Sequence, residues 1–110
     1  MVKYYILNSA VITSPGTYNY VLVNLDFAKE WLRLHDDAIF TIGYEETVNV
    51  FNKLFGTNYK PNRQQITMQP NDEALVFRLK IRLSDVQLKG KLGEDFVKQN
   101  LEIGLLVRLA

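Results

Sequence analysis

The chain has 110 residues, 47% of them hydrophobic, and a formal net charge of +1 at pH 7, which predicts one folded domain over residues 1–110 and argues against a general binder of duplex DNA. It contains no cysteine and a single histidine, so a disulfide framework, a thiolate nucleophile and a multi-histidine metal site within one chain are excluded. Neither a signal-peptide pattern nor an apolar run of about 20 residues is present, so we expect a cytoplasmic protein that has no membrane partner. We also expect no cofactor.

The first third of the sequence predicts two strands and a helix. Tyr4–Leu7 has the composition of a buried strand, and it ends in a polar corner formed by Asn8 and Ser9. Tyr18–Val23 predicts a second strand after a turn. Asn24 is a suitable N-cap for the helix that follows, whose apolar face carries Leu25, Ala28, Trp31 and Leu32.

The rest of the chain predicts two more helices and further strands. The second helix ends at Gly56, and its apolar stripe has helical spacing: Val50, Phe51, Leu54 and Phe55. Lys60–Arg63 predicts a loop, Gln65–Gln69 a short strand, Glu94–Asn100 a short helix and Glu102–Leu109 a final strand. These elements predict an α+β fold with a mixed sheet of about five strands and helices packed mainly on one side.

A predicted strand over Ala74–Leu83 carries three cations in alternate positions. Arg78, Lys80 and Arg82 would share one face of the strand, roughly 6.5–7 Å apart at about 3.3–3.4 Å per residue. Like charges on one sheet face repel, so such a face meets water, acidic side chains or an anionic ligand. A solvated strand face and an anion-binding face both remain open on this pattern alone.

Other polar residues also allow two interpretations. The start of the second helix offers unpaired N–H groups that suit a phosphate, but Glu45 and Glu46 fit the same first turn without a ligand. Asn8 and Ser9 either meet a ligand at the strand end or satisfy backbone groups of a turn. Asp85 lies close enough to the predicted cationic strand to form an ordinary ion pair.

Several short motifs stand in an order that resembles a known family: Leu7-Asn8-Ser9-Ala10, Ile42-Gly43-Tyr44-Glu45-Glu46-Thr47, Leu54-Phe55-Gly56-Thr57, Asn62-Arg63, Asp72-Glu73-Ala74-Leu75 and Arg82-Leu83. The pattern covers nearly the whole chain and resembles the type III anti-CRISPR ring nucleases of archaeal viruses, which also occur on bacterial mobile elements. The resemblance implies a small homodimer that binds cyclic tetra-adenylate across its interface. It also implies metal-independent cleavage, by attack of a ribose 2′-hydroxyl on the adjacent phosphate.

The resemblance also implies roles for individual residues. Asn8 and Ser9 would line the ligand site, and Thr47 would lie beside a phosphate at the helix start. Asp85 would take the place of the family's catalytic-site glutamate. Direct contacts to the ligand would come from three arginines: Arg63, Arg78 and Arg82.

The sequence departs from the family at the general acid. The viral enzymes have a histidine directly after Ile-Gly, where this chain has Tyr44, and a tyrosine has an ordinary pKa of about 10 against about 6.5 for histidine. Glu46 also replaces a small hydroxyl residue. Three hypotheses therefore stand: a slow ring nuclease with Tyr44 as a weak acid, a non-catalytic module that sequesters a cyclic oligonucleotide, and a structural or interaction protein of a virus or mobile element.

Overall fold

A computed structural model describes residues 2–12, 14–80 and 100–110, and these form a five-stranded mixed sheet with helices on one face. The elements in chain order are β1 (Tyr4–Leu7), β2 (Tyr18–Leu22), α1 (Leu25–Leu34), β3 (Ile39–Phe40), α2 (Glu45–Phe55), β4 (Glu73–Leu79) and β5 (Leu101–Arg108). The strand order is β2-β5-β4-β1-β3; β1 runs parallel to β3 and β4, while β5 runs antiparallel to β4 and β2. The predicted α+β class and five-stranded mixed sheet are confirmed. The homodimer stays a prediction.

Local signals fix the ends of both helices. The Asn24 side chain accepts a hydrogen bond from the Phe27 N–H at 2.8 Å and so caps α1, as predicted. Helix α2 ends at Gly56, whose φ of 64° lies in the left-handed region that glycine adopts at little cost. No helix in the described parts of the chain combines the length and the apolar character that crossing a membrane requires.

One face of the sheet packs against both helices and forms the main core. Trp31 of α1 and Phe51 of α2 are buried against sheet residues that include Ile6, Leu75 and Phe77. The Phe51 and Phe77 rings meet edge to face, with centroids 5.1 Å apart. Full burial of a large apolar side chain stabilises the fold by about 1.5–3 kcal/mol, so this layer supplies most of the hydrophobic driving force. The predicted placement of the helices on one side is confirmed.

The opposite face, here called the open face, is partly covered by the segment after α2. Met68 is fully buried there in a second cluster with Tyr5, Leu7 and Val76, and Ile66 packs against that cluster. The strand predicted over Gln65–Gln69 is wrong, because this segment crosses the face without joining the sheet. The alternation of Ile66 and Met68 gives a strand-like pattern, but it reflects packing onto the sheet.

Strand β4 is shorter than predicted. It ends at Leu79, and Lys80 lies at a bend where its N–H donates to the Asn100 carbonyl at 2.8 Å. The predicted row of three cations on one strand is therefore wrong for Lys80, and Arg82 lies outside the described residues. Most of the helix predicted over Glu94–Asn100 lies outside them too. The two-residue strand β3 has no counterpart in the sequence prediction.

The edge of the sheet where β1 and β4 begin is held by two charged residues, Asp72 and Arg108, and is here called the closed edge. The Asp72 carboxylate is buried and accepts hydrogen bonds from the N–H groups of Lys3 at 2.9 Å and Gln69 at 2.8 Å. The Arg108 guanidinium donates to the Ser14 hydroxyl and to the carbonyls of Met68 and Pro15. Asp72 and Arg108 thus stabilise the fold at this edge.

Candidate functional site

A cavity of about 760 Å³ opens at the other edge of the sheet, beyond the ends of β1 and β3. These two strands are parallel, so their carboxyl ends lie at the same edge, where ligands commonly bind in sheets of this kind. Three separate parts of the chain line the cavity: most of residues 7–12 at the end of β1, most of residues 41–44 before α2, and residues 63–67 on the open face. The site is therefore assembled by the fold from distant segments.

The floor of the cavity is a fixed junction between β1 and β3. The Thr41 hydroxyl and the Thr41 N–H both donate to the Ile6 carbonyl, at 2.9 and 3.0 Å. Leu7 is buried beneath the cavity, and the half-buried Asn8 and Ser9 follow it directly. The polar corner predicted at the end of the first strand is thus part of the cavity wall.

Asn62 holds the loop that carries Arg63 against the end of β3. Its N–H donates to the Ile42 carbonyl at 2.8 Å, and its side-chain amide donates to the Phe40 carbonyl at 2.7 Å. The segments around Gly43 and Arg63 approach so closely that a Cβ on Gly43 would lie 2.6 Å from the Arg63 Cβ and 3.0 Å from its Cα. Asn62 is a positioning residue that sequence reasoning assigned no role, although the Asn62-Arg63 motif contained it.

Arg63 and Tyr44 meet in the cavity wall. The Arg63 guanidinium carbon lies 5.2 Å from the centroid of the Tyr44 ring, within the range of a cation–π contact. Tyr44 is the N-cap residue of α2, its side chain makes no capping hydrogen bond, and 54% of it is exposed. Within the described residues no carboxylate lies within 4.0 Å of Arg63, so its charge is available to a ligand.

Arg78 lies on the open face but not in the cavity wall. It stands opposite Glu102 in the register of β4 and β5, and its guanidinium lies 3.8 Å from that carboxylate. Glu102 also accepts a hydrogen bond from the Tyr20 hydroxyl at 3.0 Å. Burial and the Glu102 carboxylate raise the pKa of Tyr20 to about 12. The charge of Arg78 is therefore already partly compensated within the sheet.

Of the three remaining predicted site residues, the structure describes one, Thr47, which does not line the cavity. Thr47 is half-buried in the first turn of α2 and is absent from the cavity lining. Arg82 and Asp85 lie outside the described residues. Of the predicted site residues that the structure describes, the fold therefore gathers four around one cavity: Asn8, Ser9, Tyr44 and Arg63.

The chemistry of the wall suits a ligand with both anionic and flat apolar parts. Arg63 supplies a cation, and Asn8 and Ser9 supply amide and hydroxyl groups. Apolar side chains from Val11, Ile12 and Ile66 line the same cavity. No group of three histidine, aspartate or glutamate side chains among the described residues is arranged to hold a metal ion.

Comparisons with known proteins agree with this fold. A family model described as STIV B116-like matches residues 4–103. The uncharacterised protein YddF of Bacillus subtilis (strain 168) is 33% identical over 104 residues, which cover 94% of each chain. The uncharacterised protein ORF116 of Acidianus filamentous virus 1 is 36% identical over 60 residues, covering 54% of this chain and 48% of that protein.

The solved structure of B116 of Sulfolobus turreted icosahedral virus is similar in fold. Its TM-score is 0.80 at 22% sequence identity, and the match covers 96% of this chain and 99% of that one. At this identity the likeness shows a shared fold.

Proposed function

This chain belongs to the STIV B116-like family, and on that premise we propose that it binds cyclic tetra-adenylate in the cavity beside Arg63 and Tyr44. This is the ligand implied by the resemblance to the anti-CRISPR ring nucleases. The observation that carries the proposal is the convergence of Asn8, Ser9, Tyr44 and Arg63 on one cavity from three distant parts of the chain. The sequence predicts the same four residues as site residues.

The charge arrangement supports an anionic ligand of limited size. An arginine presents a planar fork of donors that matches a phosphate bidentately, and Arg63 has no acidic partner within the described part of the chain. The net charge of +1 suits a compact anion held by a local cation rather than a long duplex.

The size of the cavity supports a homodimer as the binding unit. A volume of about 760 Å³ is that of a site for a drug-sized molecule. A cyclic tetranucleotide is larger, so each cavity would hold part of the ring and a second copy of the chain would hold the rest. The proposed homodimer thus places the ligand across a two-fold interface.

The proposed reaction is a slow opening of the ring. A ribose 2′-hydroxyl attacks the adjacent phosphorus and loses its proton to water, and the bond from phosphorus to the 5′-oxygen breaks. The products are a 2′,3′-cyclic phosphate at one end and a 5′-hydroxyl at the other, and the proton donor regains its proton from water. Tyr44, which lines the cavity, is the candidate donor of the proton that the 5′-oxygen receives. A positioned acid contributes about 10²–10⁴-fold, and a tyrosine is poorly matched to this role near pH 7. Asp85 keeps the position of the family's catalytic glutamate.

A second candidate is a binding module that sequesters the ligand intact. The contact between the Arg63 guanidinium and the Tyr44 ring favours it, because the general-acid position holds a tyrosine whose ring packs against a guanidinium, and no imidazole is present there. Recovery of the ligand unchanged from a tight, stoichiometric complex would favour sequestration, and linear products would favour cleavage.

One assay tests the proposal. Labelled cyclic tetra-adenylate is incubated with the protein in EDTA, binding is measured by calorimetry, and products are separated by chromatography. We expect micromolar or tighter binding, and Arg63→Gln should weaken it by about 10- to 100-fold, because charged hydrogen bonds contribute about 1.5–3 kcal/mol. The control is Arg33→Gln, since Arg33 is exposed on α1 and pairs with Glu30.

The outcomes separate the hypotheses. Loss of affinity in Arg63→Gln with an unchanged control supports the site. If the wild-type protein neither binds nor cleaves the ligand at high micromolar concentration, the proposal is refuted. The hypothesis of a structural or interaction protein is then favoured. Equal affinities of the wild type and Arg63→Gln would place the ligand elsewhere on the molecule.

A further inference from the structure

The geometry points to the Tyr44 ring, held against the Arg63 guanidinium, as a preformed platform on which a nucleobase of the ligand stacks. This inference rests on the proposed function and assigns the parts of the nucleotide within the same cavity. Tyr44 is then mainly a binding residue, and its ring contributes more to ligand affinity than its hydroxyl does.

Exposure distinguishes Tyr44 from the other tyrosines. All six tyrosines lie among the described residues, and the other five are buried or half-buried: Tyr4, Tyr5, Tyr18, Tyr20 and Tyr59. Tyr44 is 54% exposed and lines the cavity. Large aromatic side chains usually bury most of their surface, so an exposed ring inside a concave site has surface available for a ligand.

The backbone segments that carry the Tyr44 ring and the Arg63 guanidinium are fixed against each other before any ligand arrives. Asn62 fixes the loop to the carbonyls of Phe40 and Ile42, and the glycine before Tyr44 allows the Arg63 backbone to come close. A preorganised contact surface loses little conformational freedom on binding. The pair at 5.2 Å therefore acts as one surface, with the guanidinium close enough to serve a phosphate attached to the stacked nucleotide.

Apolar neighbours extend the platform. Val11 and Ile12 are both exposed, and both line the cavity together with Ile66. A phosphate gains nothing from such side chains, whereas the flat apolar face of a base does. The wall thus divides into an apolar part for a base and a polar part, with Asn8, Ser9 and Arg63, for the phosphate and sugar.

Stacking of this kind tolerates different bases because every base has a π-face. The platform therefore contributes affinity, and the choice of adenine falls to hydrogen-bonding groups nearby, such as Gln64 and Gln65 in the same wall. Tyr44 in place of the family's histidine thus removes a good proton donor from the site and provides a larger stacking surface.

The test measures affinity for cyclic tetra-adenylate in Tyr44→Phe and Tyr44→Leu. Phenylalanine keeps the ring, so Tyr44→Phe should bind within about twofold of the wild type. Leucine keeps the bulk without the π-system, so Tyr44→Leu should bind about 5- to 100-fold more weakly, the range found when aromatic stacking on a base is removed. Phe27→Leu is the matched control, because Phe27 is an exposed aromatic on α1 that is not in the cavity lining.

Two smaller probes give a second readout. Adenosine monophosphate and ribose 5-phosphate differ by the base, so Tyr44→Leu should weaken binding of the first and leave the second unchanged. Fluorescence of 2-aminopurine ribonucleotide should be quenched on binding to the wild type and to Tyr44→Phe, and quenched less by Tyr44→Leu.

Each outcome decides between the claims. If the wild type does not bind cyclic tetra-adenylate, the proposed function fails and this inference fails with it. If the wild type binds and Tyr44→Leu binds equally well, only the platform is overturned. If Tyr44→Phe loses as much affinity as Tyr44→Leu, the hydroxyl carries the interaction and the platform is again overturned.

Discussion

The two edges of the sheet each hold an arginine beside a tyrosine ring, yet the two arginines differ in the other contacts they make. At the closed edge, the Arg108 guanidinium carbon lies 5.9 Å from the Tyr18 ring centroid, and at the cavity the Arg63 guanidinium carbon lies 5.2 Å from that of Tyr44. Arg108 also donates to one hydroxyl and to three backbone oxygens, whereas the Arg63 guanidinium contacts the Tyr44 ring and makes no hydrogen bond within the described residues. The arginine–tyrosine pair at the closed edge therefore stabilises the fold, whereas the pair at the other edge faces the cavity.

The difference comes from the backbone acceptors that each edge leaves free. At the closed edge, the carbonyls of Met68 and Pro15 point at Arg108 and need a donor. At the cavity edge, the carbonyls of Ile6, Phe40 and Ile42 are already used by donors from Thr41 and Asn62. Within the described residues the Arg63 guanidinium makes no hydrogen bond to a carbonyl, so its donors remain available. An arginine is a ligand candidate where the backbone around it is already satisfied.

The largest effect is expected from a variant that removes the contacts at the closed edge. Arg108→Gln removes donors from the part-buried Met68 carbonyl and Ser14 hydroxyl, so we expect a loss of about 2 kcal/mol in the free energy of unfolding and a fall of roughly 8 °C in Tm. Urea and thermal unfolding measure both. Arg63→Gln is the control, and it should change stability by less than about 0.5 kcal/mol. Equal losses in the two variants would remove the distinction between the edges.

A smaller effect is expected where the two chain segments meet at Gly43. Gly43→Ala places a Cβ 2.6 Å from the Arg63 Cβ, so the loop must shift and the Arg63–Tyr44 pair must separate. We expect cyclic tetra-adenylate affinity to fall roughly 10-fold, with a loss of about 1 kcal/mol in stability.

Gly56→Ala provides the matched control for that variant. Alanine is strained at the left-handed φ of 64°, and this should cost about 1 kcal/mol in stability without changing affinity, because Gly56 is not in the cavity lining. If both variants lose affinity equally, the effect comes from general destabilisation and not from the position of Arg63.

The smallest expected effect concerns the open face between the two edges. The pKa of Tyr20 is raised to about 12 in the folded protein, first by burial and then by Glu102, against about 10 when unfolded. Between these values the unfolded chain loses the proton first, so stability is complete below about pH 10 and falls as the pH rises towards 12. The partly exposed phenol is screened by solvent, so we expect a loss of about 1 kcal/mol or less.

Urea unfolding at pH 9 and pH 11 checks this dependence. Tyr20→Phe should lose less stability over that interval than the wild type. It should retain part of the dependence, since burial also raises the pKa values of Tyr5 and Tyr59. An identical pH dependence in the variant would show that Tyr20 does not contribute.

The elements that the sequence predicted well are those defined by neighbours along the chain. The cap at Asn24, the left-handed Gly56 and the apolar stripes of both helices depend on residues within about one helical turn. Strand β1 and its polar corner were predicted for the same local reason. The α+β class follows from these elements taken together, because each has one apolar face that must be buried.

What only the tertiary structure decided is which distant residues meet. No local pattern marks β3, because two residues are too few for periodicity. The alternation in residues 65–69 predicted a strand, while packing on the open face makes it an irregular cover. The row of cations was predicted as one unit, yet the sheet pairs Arg78 with Glu102 and leaves Lys80 beyond the strand.

The candidate site combines both kinds of information. The sequence alone determined the residue types, since Asn8, Ser9, Tyr44 and Arg63 could be named from motif order. Their convergence depends on the parallel pairing of β1 with β3 and on the loop held by Asn62, which are contacts between residues far apart in the chain. Sequence patterns report the interactions of near neighbours, whereas a binding site is made by long-range contacts that exist only once the sheet has formed.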